Sequence, residues 1–97
     1  MKLSAKASRF IERALRDNIP GFVPAWVEQA SQGELPHESM REALEAFSQL
    51  ESSLKKRLAN AHLDEDQKSD LINDLRFVSA IEHDLDQEIS RKRYVRA

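Results

Sequence analysis

The chain has no cysteine, and its 97 residues include only two glycines, three prolines, one tryptophan and one tyrosine. Without cysteine there can be no disulfide bonds, zinc–thiolate sites, iron–sulfur clusters or cysteine nucleophiles, and this composition suits a reducing compartment. No stretch approaches the ~18 apolar residues of a membrane span, and the cation-rich start lacks the apolar run of an export signal. We therefore expect a cytoplasmic protein without a membrane partner.

The scarcity of glycine and proline favours long helices over hairpins and tight turns. Charged residues make up 33% of the chain and hydrophobic residues 40%, with long stretches of good helix formers. A chain of this length can bury one core but not two. The sequence therefore predicts a single all-α domain over residues 1–97, with a basic C-terminal end at 91–97.

Helix breakers and apolar spacing divide the chain into segments. Pro20 and Gly21 interrupt the first helical pattern, Pro24 suits the first position of a helix, and Gly33 suits the left-handed residue after a helix end. Two longer segments follow, with apolar residues at spacings of three and four. The predicted helices lie at about 4–18, 24–32, 36–62 and 65–93.

The two long helices are predicted to form an antiparallel hairpin, because only a short acidic turn separates them. Asp64 is suited to cap the fourth helix, with Gln67 as its partner in a capping box. The first two helices together span nearly the length of the hairpin, so we expect them to lie on it as a broken third strand of a small helical bundle. An alternative is that two hairpins pair into a dimeric four-helix core.

Charged residues follow one side of the first helix and one side of the fourth. The basic row of the first helix consists of Lys2, Lys6, Arg9, Arg13 and Arg16. The acidic row of the fourth helix consists of Asp66, Asp70, Asp74, Asp84 and Glu88, with Phe77 and Ile81 in its middle. The rows are either two halves of one internal contact or two docking surfaces. Residues 64–90 contain nine acids against two bases, so we expect the acidic row to remain an outward surface.

The residues that could carry chemistry are poorly placed for it. Glu34 and His37 have the spacing of a di-iron ligand pair, but Pro36 places them at a helix start and the chain has no second set. His62 lies at the predicted end of the third helix, where a cation complements the dipole, and His83 lies among acids. No serine has a paired base, and the two glycines cannot form a phosphate-binding loop. We predict no enzymatic activity, metal or cofactor.

These features predict a small regulatory or adaptor protein, such as an inhibitor or antitoxin-like module, that acts by protein–protein interaction. Its partner would be another protein with a basic surface, and a homodimer is a further alternative. Trp26 would either bind in a pocket of the partner or close one end of the bundle as a lid. Phe77 and Ile81 would either form the centre of an interface or pack against the first helix. The predicted contact residues are Asp70, Asp74, Phe77, Ile81, Asp84, Glu88 and Trp26.

An alternative function is that of a nucleic-acid-associated regulator. It would use the cations of the first helix and of the C-terminal end to contact phosphates. The sequence pI of about 5.9 argues against it, and cations in a last helical turn have a routine stabilising role. We therefore favour a protein partner. The residues of the alternative are Lys6, Arg9, Arg13, Arg16, Arg91, Lys92 and Arg93.

Overall fold

The computed structural model of the chain describes residues 1–60 and 62–95, with side chains described as far as Arg91. None of the described helices combines the length and apolar character needed to span a bilayer. The all-α class is confirmed. The elements are α1 (Ala5–Arg16), α2 (Pro24–Ala30), a 3₁₀ turn (His37–Ser39), α3 (Met40–Leu58) and α4 (Glu65–Val95).

Local capping motifs fix both ends of α1. At its start, the Ser4 hydroxyl oxygen accepts a hydrogen bond from the backbone N–H of Ala7 at 3.1 Å. At its end, Asn18 adopts a left-handed φ of 57°, and the N–H of Ile19 donates to the carbonyl of Ala14 at 3.0 Å. This is the hydrogen-bond pattern of a Schellman motif, which stops the helix and redirects the chain.

The turn between α3 and α4 is longer on the α3 side than the sequence predicted. The backbone N–H of Gln67 donates to the Asp64 carboxylate at 2.8 Å, and the N–H of Asp64 donates to the Gln67 side chain at 3.2 Å, which confirms the predicted capping box. However, α3 ends at Leu58 rather than near residue 62. The Asn60 side chain accepts from the N–H of His62 at 3.0 Å, so it satisfies this N–H outside any helix.

The α3 and α4 helices form the predicted antiparallel hairpin. The Ser79 hydroxyl donates to the carboxylate of Glu51 at 3.0 Å across the two helices and thereby gives the register. Both helices contribute apolar residues to one continuous core. The buried residues of the hairpin are Met40, Ala43, Ala46, Phe47, Leu50 and Leu54 from α3, and Val78, Ile81 and Leu85 from α4.

The α2 helix runs back beside α1, so the predicted end-to-end arrangement of the first two helices is wrong. The N–H of Leu3 donates to the carbonyl of Gly33 at 2.8 Å, and the N–H of Leu35 donates to the carbonyl of Met1 at 2.8 Å. These bonds bring the end of α2 to the start of α1. The two short helices therefore lie side by side and not end to end along the hairpin.

Aromatic rings connect the α1–α2 layer to the hairpin. Consecutive ring centres lie 5.3, 5.2, 6.2 and 5.1 Å apart. Each such pair adds ~0.5 to 1.5 kcal/mol to the stabilisation from burial of its surface. The core therefore continues from α2 through α1 and α3 to α4. The rings, in order, are Trp26, Phe22, Phe47, Phe10 and Phe77.

Candidate protein-binding surface

The α1 helix lies along the acidic row of α4 and runs in the opposite direction. At one end, Lys2 lines the same surface groove as Asp84 and Glu88. At the other end, Arg13 lines a groove with Asp74. The basic row and the acidic row therefore flank a single contact between the two helices, as one of the two sequence interpretations required.

The two rows do not neutralise each other through close ion pairs among the described residues. The cations of α1 pair instead with acids near them in sequence: Arg13 lies 3.9 Å from Asp17, and Arg16 lies 3.4 Å from Glu12. Such exposed pairs contribute little to stability. Most of the charge in both rows therefore remains in contact with solvent.

The acidic row retains exposed carboxylates along much of α4. Asp70, Asp74 and Asp84 are exposed, and none of them forms an ion pair with a described residue. Glu88 is half-buried and lies 3.9 Å from Arg91 of its own helix. Carboxylates without close counter-charges create a negative potential at the surface.

The apolar residues inside the acidic row belong to the contact with α1. The ring of Phe77 lies 5.1 Å from that of Phe10, and the Nζ of Lys6 lies 5.1 Å from the centre of the Phe77 ring. Ile81 is only 7% exposed. Phe77 therefore packs against α1 and Ile81 is buried in the bundle, so neither offers the exposed surface that an interface anchor would need.

Trp26 closes one side of the bundle core. Its ring has no exposed surface, and its Nε1–H donates to the carbonyl of Gly21 at 3.1 Å. The buried indole N–H is thus satisfied inside the fold, as buried tryptophans require. This position agrees with the interpretation that Trp26 closes the bundle as a lid, because no surface of its side chain remains to bind a partner.

Two open grooves lie near the end of α1, and we call them the distal grooves. The first, of about 260 Å³, lies beside the last turn of α1, where Arg13 and Asp17 line it together with Leu54, Arg57 and Asp74 of the hairpin. The second, of about 290 Å³, lies near the turn between α3 and α4, and Arg57, Asp70 and Leu71 are among the residues that line it.

A pair of carboxyl groups lies where α3 and α4 meet, and the sequence reasoning missed it. The carboxylate of Glu51 accepts hydrogen bonds from Lys55 at 3.1 Å and from Ser79 at 3.0 Å, and these bonds hold the pKa of Glu51 below its ordinary value. Burial, together with the charge of Glu51, raises the pKa of Glu82 to about 7. The available signal was the presence of acids on both helices of the predicted hairpin.

One oxygen of the Glu82 carboxyl is buried without a hydrogen-bond partner in the described part of the chain. A proton on Glu82 resolves this, because the protonated group can donate to the neighbouring Glu51 carboxylate. The cluster is therefore a site where a proton is held near neutral pH, and deprotonation leaves two charges close together.

The residues of the nucleic-acid alternative do not form one compact patch. Lys6, Arg9, Arg13 and Arg16 are exposed along α1. Arg91 is exposed near the start of α1, where it lines a groove with Lys2 and acids of α4. Lys92 and Arg93 belong to α4, but their side chains lie outside the described part of the structure.

Metal ligands do not converge in the described part of the chain. No group of three or more histidine, aspartate and glutamate side chains there could hold an ion. The histidines of the sequence prediction, His37, His62 and His83, are all exposed. No protein-family model, curated protein or solved structure matches this chain.

Proposed function

We propose that this chain is a small, non-enzymatic, cytoplasmic regulatory or adaptor protein that binds another protein with a basic surface through the acidic row of α4. The observation that supports the proposal is the set of exposed carboxylates without close counter-charges, Asp70, Asp74 and Asp84. Such a row attracts a cationic partner and raises its association rate, which falls as salt screens the charges.

The acidic row offers two separate places for contact. In the lower pair, Asp74 lines the first distal groove and Asp70 the second, and both grooves add apolar surface. The upper pair, Asp84 and Glu88, borders the start of α1. Because Phe77 packs against α1 and Ile81 is buried, the affinity would come from the two ends of the row and not from its middle.

Affinity capture from the native host, followed by mass spectrometry, tests the proposal. Reversing the lower pair (Asp70→Lys with Asp74→Lys) or the upper pair (Asp84→Lys with Glu88→Lys) should reduce the yield of a specific partner. The matched control reverses Glu42 and Glu45, which are exposed on α3 away from the row.

All variants should keep the helical content of the wild type, because the changed residues carry little core surface. A partner whose capture is unaffected by both reversals, or is reduced equally by the control, would rule out the acidic row as the binding surface. The absence of any specific partner at low salt would argue against the proposed function itself.

The nucleic-acid alternative is favoured by one observation, the exposure of the basic row. The side chains of Arg13 and Arg16 are 82% and 74% exposed. Binding of duplex DNA or RNA should then weaken steeply as salt rises, and Arg9→Glu with Arg13→Glu should flatten that slope. Failure to bind either nucleic acid at low salt would exclude this alternative.

A further inference from the structure

The basic row of α1 forms one wall of an open groove between α1 and α4, which we call the basic groove. It has a volume of about 290 Å³. Lys6, Arg9 and Arg13, which lie on successive turns of α1, all line it. The half-buried rings of Phe10 and Phe77 supply its apolar surface. The basic groove therefore combines a line of positive charge with an aromatic floor.

The cations of the basic groove have few counter-charges within the fold. Neither Lys6 nor Arg9 forms an ion pair with a described residue. The Nζ of Lys6 lies 5.1 Å from the centre of the Phe77 ring, so it contacts an aromatic face and not a carboxylate. Arg13 lies 3.9 Å from Asp17, but its side chain is 82% exposed, so this pair contributes little and leaves the guanidinium open to a ligand.

The α4 wall of the basic groove carries one amide and one acid, the exposed Asn73 and Asp74. The residues that line the groove thus include three cations and one anion, which favours an anionic occupant. Asp74 forms no ion pair with a described residue. Its oxygens, like the amide oxygen of Asn73, can accept hydrogen bonds from an occupant. The groove therefore fits a ligand with anions on one side and N–H donors on the other.

An extended peptide with acidic residues at alternate positions matches both walls. An α-helix rises ~1.5 Å per residue, so the row from Lys6 to Arg13 is ~10 Å long. Alternate side chains of an extended chain point to the same side and lie ~6.6 Å apart, so two or three acidic side chains reach all three cations. The backbone N–H groups of the peptide are donors suited to the oxygens of Asn73 and Asp74.

A nucleic-acid duplex fits the basic groove poorly. Packed helices lie ~8 to 10 Å apart, so the acidic row of α4 stands close beside the basic row of α1. A duplex carries one phosphate charge per ~1.7 Å of its axis. Phosphates that met the cations would bring others against Asp70, Asp74 and Asp84, which is unfavourable. The neighbouring acids therefore favour a narrow occupant with few charges.

We propose that the basic groove binds an acidic, extended segment of a partner protein. Lys6, Arg9 and Arg13 would contact its carboxylates, and the floor of Phe10 and Phe77 would contact an apolar side chain between them. This goes beyond the proposed function, because the occupant has the charge opposite to that of a partner of the acidic row. The two surfaces are adjacent, so a partner that used both would present acids and bases side by side.

Fluorescence anisotropy of a labelled peptide with the purified full chain at low salt is the test. The probe has glutamate at alternate positions and one leucine at its centre, and the control probe has glutamine in place of each glutamate. The wild type should bind only the glutamate peptide. Lys6→Glu with Arg9→Glu should weaken this binding about tenfold or more. The matched control is Arg41→Glu with Lys56→Glu, which reverses two exposed cations of α3 outside the basic groove.

Asp74→Asn gives the decisive result, because it separates the basic groove from the acidic row. Asparagine keeps an acceptor oxygen but removes the one negative charge of the groove, so the glutamate peptide should bind about two- to fivefold more tightly. Glu42→Gln, which removes an exposed carboxylate of α3, should leave the affinity close to that of the wild type. Unchanged helical circular dichroism verifies that each variant is folded.

Three results would overturn the proposal. The first is the absence of peptide binding at low salt. The second is an equal loss of affinity in the α3 control, which would mean that only net charge matters. The third is a single-stranded oligonucleotide of the same net charge that binds the wild type more tightly than the glutamate peptide does, which would assign the basic row to nucleic acid.

Discussion

The carboxyl pair between α3 and α4 should make the stability of the fold depend on pH near neutrality. The pKa of Glu82 is raised from 4.5 to about 7. Between these values the folded chain holds a proton that the unfolded chain has released, so the free energy of unfolding falls as pH rises. The contribution of Glu82 is fully present below about pH 4.5 and is lost by about pH 7.

The size of the effect follows from the displacement of the pKa. One pKa unit corresponds to ~1.4 kcal/mol, so the full displacement would amount to ~3 kcal/mol. Glu82 is half-buried and in part screened by solvent. We therefore expect ~1 to 2 kcal/mol. Because the pKa of Glu51 is lowered, its contribution to the free energy of unfolding falls as pH decreases, but only below about its ordinary pKa of 4.5. The useful window is therefore above about pH 5.

Glu82→Gln should remove this dependence. Glutamine keeps the shape and can donate to Glu51 without titrating. Relative to wild type, the variant should be more stable by ~1 to 2 kcal/mol at about pH 8 and nearly equal to it at about pH 5. Urea unfolding followed by circular dichroism measures the free energy of unfolding of both proteins at each pH. Glu45→Gln, which removes an exposed carboxylate of α3, is the matched control. The proposed role of Glu82 would be refuted if the free energy of unfolding had the same pH dependence in wild type and Glu82→Gln.

Four further substitutions test local features by urea unfolding. Gly21→Ala should lower the free energy of unfolding by ~2 to 4 kcal/mol, because φ is 92° and the new Cβ would lie 2.8 Å from that of Ala46. Gly33→Ala should lower it by only ~1 to 2 kcal/mol, because it strains the backbone without a close contact. Equal losses of stability would contradict the clash at Gly21. Ser8→Ala should stabilise by ~1 kcal/mol, since the buried hydroxyl lacks a described partner; a loss would indicate a hidden hydrogen bond. Asp64→Ala should cost ~1 kcal/mol through loss of the cap, and no change would mean that the capping box does not form in solution.

The helices could be predicted from the sequence because their end signals are local. Pro24 begins α2, Gly33 follows it with a φ of 95°, and Asp64 with Gln67 forms the capping box of α4. Each signal acts within a few residues of the chain, so no tertiary information is needed to read it.

The direction of α2 and the cover of the hairpin could not be predicted in the same way. The end of α1 depends on Asn18 in a left-handed conformation, which asparagine adopts in only some contexts. The return of α2 depends on backbone bonds between Leu3 and Gly33, and backbone groups carry no sequence signature.

The contact residues were harder to predict than the elements, because burial depends on which helix covers which face. The exposed acids Asp70, Asp74 and Asp84 could be found from helical spacing alone. Phe77 and Ile81 share the same side of α4, and only the position of α1 decides that they are covered.

The position of α1, antiparallel to α4 along the acidic row, decides which acids of α4 are left exposed. The chain has no cysteine, so a single introduced cysteine can carry a nitroxide spin label. A label at Lys2→Cys should broaden the NMR signals of Asp84 and Glu88, and a label at Arg13→Cys should broaden those of Asp74. The reverse pattern, or no broadening in α4 from either label, would contradict the placement of α1 and with it the choice of the exposed acids as the binding surface.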